Sequence, residues 1–259
     1  MTFDQETHER IVFARNPLKV VVAQIRFPPA YSLADPAGLA AAQGALSARY
    51  PTSLPRIQQV TMVAGPGGPV PPVVQPGPAR FGDEAGTWVV SVGPDSASLE
   101  TTHYGSWADF RARLQELLEM VATQGHVTGV ERLGIRYVDE IVSEDSAAIP
   151  DWQQYIAPSL LGGADAPWID ARVTRSLQQV SMSIGDDGIN LRHGFVKNPD
   201  QSDYPSTYVI DTDLFTEQQV GFDVDALLER ADRYHRWAWN LFRRSITPAA
   251  IDLLGGAEE

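Results

Sequence analysis

Two ten-residue stretches constrain the fold of this chain most. Residues 90–99 read Val-Ser-Val-Gly-Pro-Asp-Ser-Ala-Ser-Leu, and residues 182–191 read Met-Ser-Ile-Gly-Asp-Asp-Gly-Ile-Asn-Leu. Each alternates apolar with small polar residues, breaks at Gly-x-Asp, and resumes. Alternation is the period of a strand with one covered face, and Gly and Asp suit tight turns, so each stretch reads as a β-hairpin. Their last leucines, Leu99 and Leu191, lie 92 residues apart. A second echo sets Gln24-Ile25-Arg26-Phe27 against Gly134-Ile135-Arg136-Tyr137, with the arginines 110 residues apart. The two echoes point to a chain of two related halves, 1–128 and 129–259.

The mismatch between spacings of 92 and 110 is 18 residues, close to the length of one unusual segment. Residues 64–79 hold 6 Pro and 4 Gly in 16 positions. Such a stretch forms neither a helix nor a central strand, and reads as an exposed, polyproline-like loop. It fits an insertion carried by the first half alone. Its plain reading is a tolerated loop; its functional reading is a ligand for an aromatic groove.

The remaining pattern alternates strands and helices. Residues 18–27 read as a strand ending at Pro28-Pro29, and 56–63 as a shorter one. Asp35 caps a helix opening on Pro36 and running to about Arg49. Strands are expected at 87–93 and 97–103. Ser106 and Asp109 then form a variant capping box for a helix with Phe110, Leu114, Leu117, Leu118 and Val121 on one face, ended by Gly125. In the strand 130–142, Leu133, Ile135, Tyr137 and Ile141 share one parity; Arg132 and Arg136 share the other. A helix is expected at 151–161, and strands near 168–185, 188–196 and 206–214. A last long helix spans 223–244, acidic early and basic late, as the helix dipole favours. The fold class is therefore α+β: largely antiparallel sheet with long helices on one side, built as tandem split-βαβ-like units.

Composition excludes several classes. With no cysteine among 259 residues, disulfides, thiol nucleophiles and cysteine-bound metals are all ruled out. No run of about 18 apolar residues suggests a membrane span. The polar N-terminus does not resemble a signal peptide, so a bacterial cytoplasmic protein is expected. A formal charge of −13 disfavours nucleic acid as a partner and can steer a basic protein. Gly-x-Ser-x-Gly, Ser-x-x-Lys, Gly-x-Gly-x-x-Gly and phosphate-loop motifs are all absent.

From Glu131-Arg132-Leu133-Gly134-Ile135-Arg136-Tyr137 onward, the motifs resemble a sporadically distributed bacterial family of similar length with no assigned activity. Matching features are Asn16-Pro17-Leu18, Tyr50-Pro51, Trp88 leading to Leu99-Glu100-Thr101-Thr102, and Phe242-Arg243-Arg244-Ser245-Ile246-Thr247. The resemblance covers nearly the whole chain. It implies no cofactor and no catalytic residue, and sporadic occurrence goes with defence or toxin–antitoxin settings.

Few residues offer chemistry. Arg26 and Arg136 hold equivalent places in the echo and, with Arg132, are the candidates for holding an anion; their plain reading is as solvated strand arginines or an ion pair with Glu140. Asp139 shares the core parity, so its pKa would shift if buried, although it could equally cap the end of the strand. His8, His103, His126, His193 and His235 show no metal-ligand spacing, and His235 on the helix stripe reads as a satisfied core histidine. Tyr234, Arg236, Trp237 and Trp239 form an aromatic–basic set that reads either as an interface or as core. The expectation is a non-catalytic protein-binding protein, in a defence or toxin-neutralising setting, with no cofactor and no metal. The alternative is an enzyme or small-anion binder using an arginine-lined cleft between the halves. Another protein is the expected partner, and a homo-oligomer is left open.

Overall fold

Local signals in the sequence become elements much as their chemistry dictates. In the computed structural model, which describes residues 8–61, 64–65, 68–69, 73–143, 149–162, 175–196 and 207–258, the strands are Ile11–Phe13 (β1), Leu18–Arg26 (β2), Thr52–Leu54 (β3), Gln58–Thr61 (β4), Ala64–Gly65 (β5), Gly68–Pro69 (β6), Val73–Pro76 (β7), Ala79–Gly82 (β8), Trp88–Val92 (β9) and Ser96–Thr101 (β10). Gly129–Val130 (β11), Arg132–Val142 (β12), Ser176–Ile184 (β13), Asp187–Val196 (β14), Thr207–Thr216 (β15), Val220–Gly221 (β16) and Gly256–Glu258 (β17) complete them. The helices are Pro36–Leu46 (α1), Trp107–Gly125 (α2), Ile149–Trp152 (α3), Pro158–Leu161 (α4), Val224–Ser245 (α5) and Pro248–Leu254 (α6). The fold is α+β, and its described ladders are antiparallel.

The chain divides into two units. One comprises residues 1–22, 134–217 and 229–259. Its strands run in the order β13-β14-β15-β12. The β13–β14 ladder runs from Ser176↔Phe195 to Ile184↔Asp187 without interruption. Its core gathers Ile141, Trp152, Ile156, Phe195, Tyr208, Ile210, Phe242 and Ile246. Three aromatic rings knit that core, with Trp152 centred 5.7 Å from Tyr208 and 6.0 Å from Phe195. Burying rings of this size dominates core energetics.

The other unit comprises residues 23–133 and 218–228. Its strands run in the order β10-β9-β8-β3, and the Ala23–Arg26 part of β2 belongs to it. Asp35 caps α1, accepting from the backbone N–H groups of Ala37 and Gly38, and Ser106 caps α2, accepting from Asp109. The α2 stripe of Phe110, Leu114, Leu117, Leu118 and Val121 is fully buried.

Four expectations need correction. The Pro/Gly segment 64–79 is not a plain loop: β4 pairs with β7 and β5 with β6 as narrow two-stranded ribbons. Pro69 and Pro76 sit in these ribbons without breaking a central strand, because a two-stranded ribbon has two free edges; residues 66–67 and 70–72 of the expected loop lie outside the described residues. The helix expected over 151–161 is two short pieces, α3 and α4, since Pro158 can start a helix but not continue one. The left-handed end of α2 is taken by His126 (φ 51°), not by Gly125. The two echoed hairpins are both present but turn differently. Val92 pairs with Ala97 across a four-residue loop, whereas Ile184 pairs with Asp187 across Gly185-Asp186. Gly185 takes φ +58° in that tight turn, which suits glycine. The part of the expected strand at 168–174 lies outside the described residues.

Candidate functional site

The short turn at Gly185-Asp186 fixes what Asp187 does. It makes Asp187 the first residue of β14, with a nearly buried side chain. Three donors from α5 converge on the carboxylate. Arg230 Nη1 donates to one oxygen at 2.9 Å and Tyr234 Oη to the same oxygen at 2.6 Å. Arg233 Nη2 donates to the other at 3.1 Å. Residues 230, 233 and 234 share one helical face, so one carboxylate can collect all three. Burial, and then the adjacent Asp187 carboxylate, push the Tyr234 phenol far above its ordinary range. Tyr234 is therefore a fixed neutral donor and not a base. The cluster is a clamp between a hairpin and a helix.

A second ion network lies on the opposite parity of the same strands. Arg136 Nε and Nη2 donate to the two oxygens of Asp211 at 2.7 and 2.8 Å. Such fork-on-fork pairing is the strong form of the interaction. Arg192 Nη1 approaches the same carboxylate at 3.9 Å, and Arg192 Nε donates to Gln179 at 3.2 Å. Arg136 is thus engaged by an internal carboxylate, which does for it what an external anion would do. Arg26 is exposed at the end of β2, and Arg132 is half-buried at the start of β12. Both belong to the unit of residues 23–133, and Arg136 belongs to the other.

Two histidines are held as neutral rings. Arg10 Nη2 lies 3.1 Å from His235 Nε2. A guanidinium can only donate, so Nε2 accepts, the ring proton sits on Nδ1, and Nδ1–H donates to Tyr137 Oη at 3.3 Å. Burial, with Arg10 and Arg236 nearby, pushes the His235 pKa down to about 3. His193 Nδ1 lies 2.8 Å from Tyr208 Oη, and that hydroxyl donates to the Leu160 carbonyl at 3.3 Å. With its one proton committed there, Tyr208 accepts from His193 Nδ1–H. Burial lowers the His193 pKa and raises that of Tyr208. His235 is the satisfied core histidine its place on the α5 stripe suggested.

Among the described residues, Asp139 is the acid whose pKa burial clearly raises. β12 does not end there; it continues to Val142, and Asp139 is buried on the core parity. Burial alone pushes its carboxyl up to about 7. Its proton is set to leave near neutrality.

Tyr234 and Trp237, the central members of the aromatic–basic set, are core residues at 0 % and 2 % exposure. They have no surface to offer a partner. Trp239 is partly buried against Phe13 and Phe242, and Arg236 is half-buried. The four residues therefore do not form one exposed patch. The α5 stripe is wide enough to bury Tyr234, Trp237 and Phe242 together, as an inward helix face requires.

The sequence reading missed Asp187 as a clamp, Asp211 as the partner of Arg136, and Tyr208 as the partner of His193. A faint signal existed for the first: Asp187 follows a two-residue turn, and Arg230, Arg233 and Tyr234 recur at helical spacing. Among the described residues, no group of three or more His, Asp or Glu could hold a metal ion, and no helix is long and apolar enough to cross a membrane. No protein-family model matches the chain, and no curated protein matches it.

Proposed function

We propose that this chain acts by binding another protein and not by catalysis. The observation that carries this reading is the engagement of Arg136, the best anion-binding candidate, with Asp211 through two hydrogen bonds of 2.7 and 2.8 Å. With Nε and Nη2 held on Asp211, the guanidinium is positioned by its own fold and already faces a carboxylate. The two buried histidines, His235 and His193, are spent in the same way, on Tyr137 and Tyr208. The charge of −13 favours a basic partner, because complementary charge speeds encounter and excludes acidic competitors. A defence or toxin-neutralising setting agrees with the motif resemblance from Arg132 to Tyr137, and an acidic protein that captures a basic toxin fits that setting.

The test is quantitative capture. Tagged chain is incubated with host lysate, the retained protein is identified, and its affinity is measured across a salt series. Binding should weaken as salt rises, and Arg136→Ala should leave affinity within about twofold, because Arg136 acts on the fold and not on the partner. The reading is abandoned if no host protein is retained while the purified chain turns over or binds a small anion in an Arg136-dependent way.

A further inference from the structure

The strand order of the first unit begins at β13. Its inner side is paired with β14 along all nine residues. Among the described residues, no strand pairs with its outer side. Sheet edges of this kind are templates for another strand, and most proteins blunt them with charge, proline, bulges or short length. β13 uses none of these. Ser176-Leu177-Gln178-Gln179-Val180-Ser181-Met182-Ser183-Ile184 contains no charge and no proline. The terminal strand of the other unit, β3, is the opposite case: three residues enclosed by Pro51 and Pro55.

The register shows what the open side presents. A two-residue turn makes its flanking pair, Ile184 and Asp187, exchange both backbone hydrogen bonds. Alternation then turns the even-numbered residues of β13 toward β14. Leu177, Gln179, Ser181 and Ser183 direct their backbone N–H and C=O groups outward. Side chains add a second signal. Gln178 is held by the Leu160 and Leu161 carbonyls, and Met182 packs on the aromatic core. Val180 lies between them on the same parity, yet is 43 % exposed, and Leu177 is 51 % exposed.

We propose that β13 is a dimerisation edge, on which a second copy of this chain adds its own β13 in antiparallel register about a two-fold axis through Val180. Charge selects this occupant. Two copies of a chain at −13 repel unless they meet along a neutral strip, and β13 is such a strip. Its ends carry opposite signs, with exposed Arg175 before the strand and exposed Asp186 in the turn after it. Antiparallel pairing centred on Val180 brings Arg175 of each copy beside the Gly185-Asp186 turn of the other. A two-fold axis perpendicular to the sheet also keeps each face on its own side, as a self-complementary contact requires. Val180 then opposes Val180 as a non-hydrogen-bonded pair, the arrangement that brings side chains closest. The edge proposal stands apart from the identity of any foreign partner.

The chain has no cysteine, which makes the test clean. Full-length Val180→Cys should oxidise to a covalent dimer, because a non-hydrogen-bonded antiparallel pair has the Cα separation a disulfide needs. Val12→Cys, on a comparably exposed residue at 59 %, should cross-link at least about tenfold more slowly. By sedimentation equilibrium the native chain should be dimeric, and Val180→Lys should weaken the dimer about tenfold or more, since like charges directly opposite destabilise a strand pair. Thermal unfolding of Val180→Lys separates loss of the dimer from loss of the fold. A native chain that stays monomeric overturns the proposal. So does a dimer indifferent to Val180→Lys, or a Val180→Cys protein that cross-links no faster than Val12→Cys. A monomeric chain that instead takes a foreign extended segment on β13 also overturns it.

Discussion

Among the described residues, the buried polar and charged side chains are divided unevenly between the two units. Thr101 is the one assigned to residues 23–133 and 218–228; Asp139, Ser143, Asp187, His193, Asp211, Thr212, Thr216, His235, Asn240 and Ser245 belong to the other unit. The first of these units keeps its charges near its surface. Arg49 pairs with Glu116 at 2.9 Å and Arg113 with Asp109 at 3.1 Å, with all but Arg113 more than a third exposed. The other carries carboxylates and imidazoles inside. Low dielectric strengthens a satisfied buried interaction and makes an unsatisfied one costly. The contrast teaches where single-atom changes and pH should be felt most: in the unit of β12 to β15, more than in the unit of α1 and α2.

The largest break in that contrast is expected at Asp187. Asp187→Ala leaves Arg230, Arg233 and Tyr234 aimed at an empty place, two of them charged. Removing one partner of a buried ion cluster costs about 3–5 kcal/mol, read as the shift of a urea unfolding midpoint at constant slope. Asp109→Ala is the matched change in the other unit. It removes an acid whose side chain is 42 % exposed and should cost less than about 1 kcal/mol. Equal losses at the two positions would mean that burial does not distinguish the units.

Asp139 sharpens the contrast through pH. Its folded carboxyl, held up to about 7 by burial, keeps a proton that the unfolded chain releases near the ordinary value of 3.8. Between these values the native state binds more protons than the unfolded state. Stability from this group is therefore full in acid and drains away as pH rises toward 7. Asp139→Asn removes that drain. The variant should match the parent near pH 4 and exceed it above pH 7 by up to about 4 kcal/mol. His235, pushed down to about 3, has the opposite slope: its folded pKa lies below the unfolded one, so it costs stability in acid and stops costing above about 6.5. Parent and variant share that term, so their difference isolates Asp139. A pH-independent difference would place the Asp139 carboxylate in contact with water.

What could be read from sequence follows the range of the interaction. The Ser106 cap acts over three residues, and the parity of β12 follows from the strand period, so both were legible. So was the pair of hairpins, because Gly-x-Asp breaks an alternating run locally. The clamp on Asp187 joins residues 43 to 47 apart, and Arg136 meets Asp211 across 75. Local spacing groups the three α5 donors, but no local pattern pairs them with Asp187 or Arg136 with Asp211. The echo of Arg26 with Arg136 correctly put both arginines on the parity opposite the core, but parity does not identify an ion partner. The edge character of β13 is similarly hidden. It is a property of strand order, and the residues that reveal it, Leu177 and Val180, look like any others in an alternating strand. Tyr234 and Trp237 misled because aromatic–basic spacing on a helix is shared by interfaces and by wide buried stripes.

The smallest expected effect completes the comparison from the surface side. Arg49 sits 2.9 Å from Glu116 and 3.6 Å from Asp109, a geometry that on paper rivals the Asp187 clamp. Its side chain is 37 % exposed and those of its partners 41 % and 42 %. Water and salt screen the attraction, and holding three side chains in place costs entropy that offsets much of the gain. Arg49→Ala should therefore cost no more than about 0.5 kcal/mol, and that small loss should shrink further in high salt. Asp187→Ala should keep most of its penalty in the same salt, since its carboxylate is only 8 % exposed. The ratio of the two losses, measured at low and high salt, reports how far burial and not distance sets the worth of an ion pair in this chain. A salt-insensitive Arg49 would show that its network excludes water despite its exposure, and would move the unit of α1 and α2 toward the behaviour of the other.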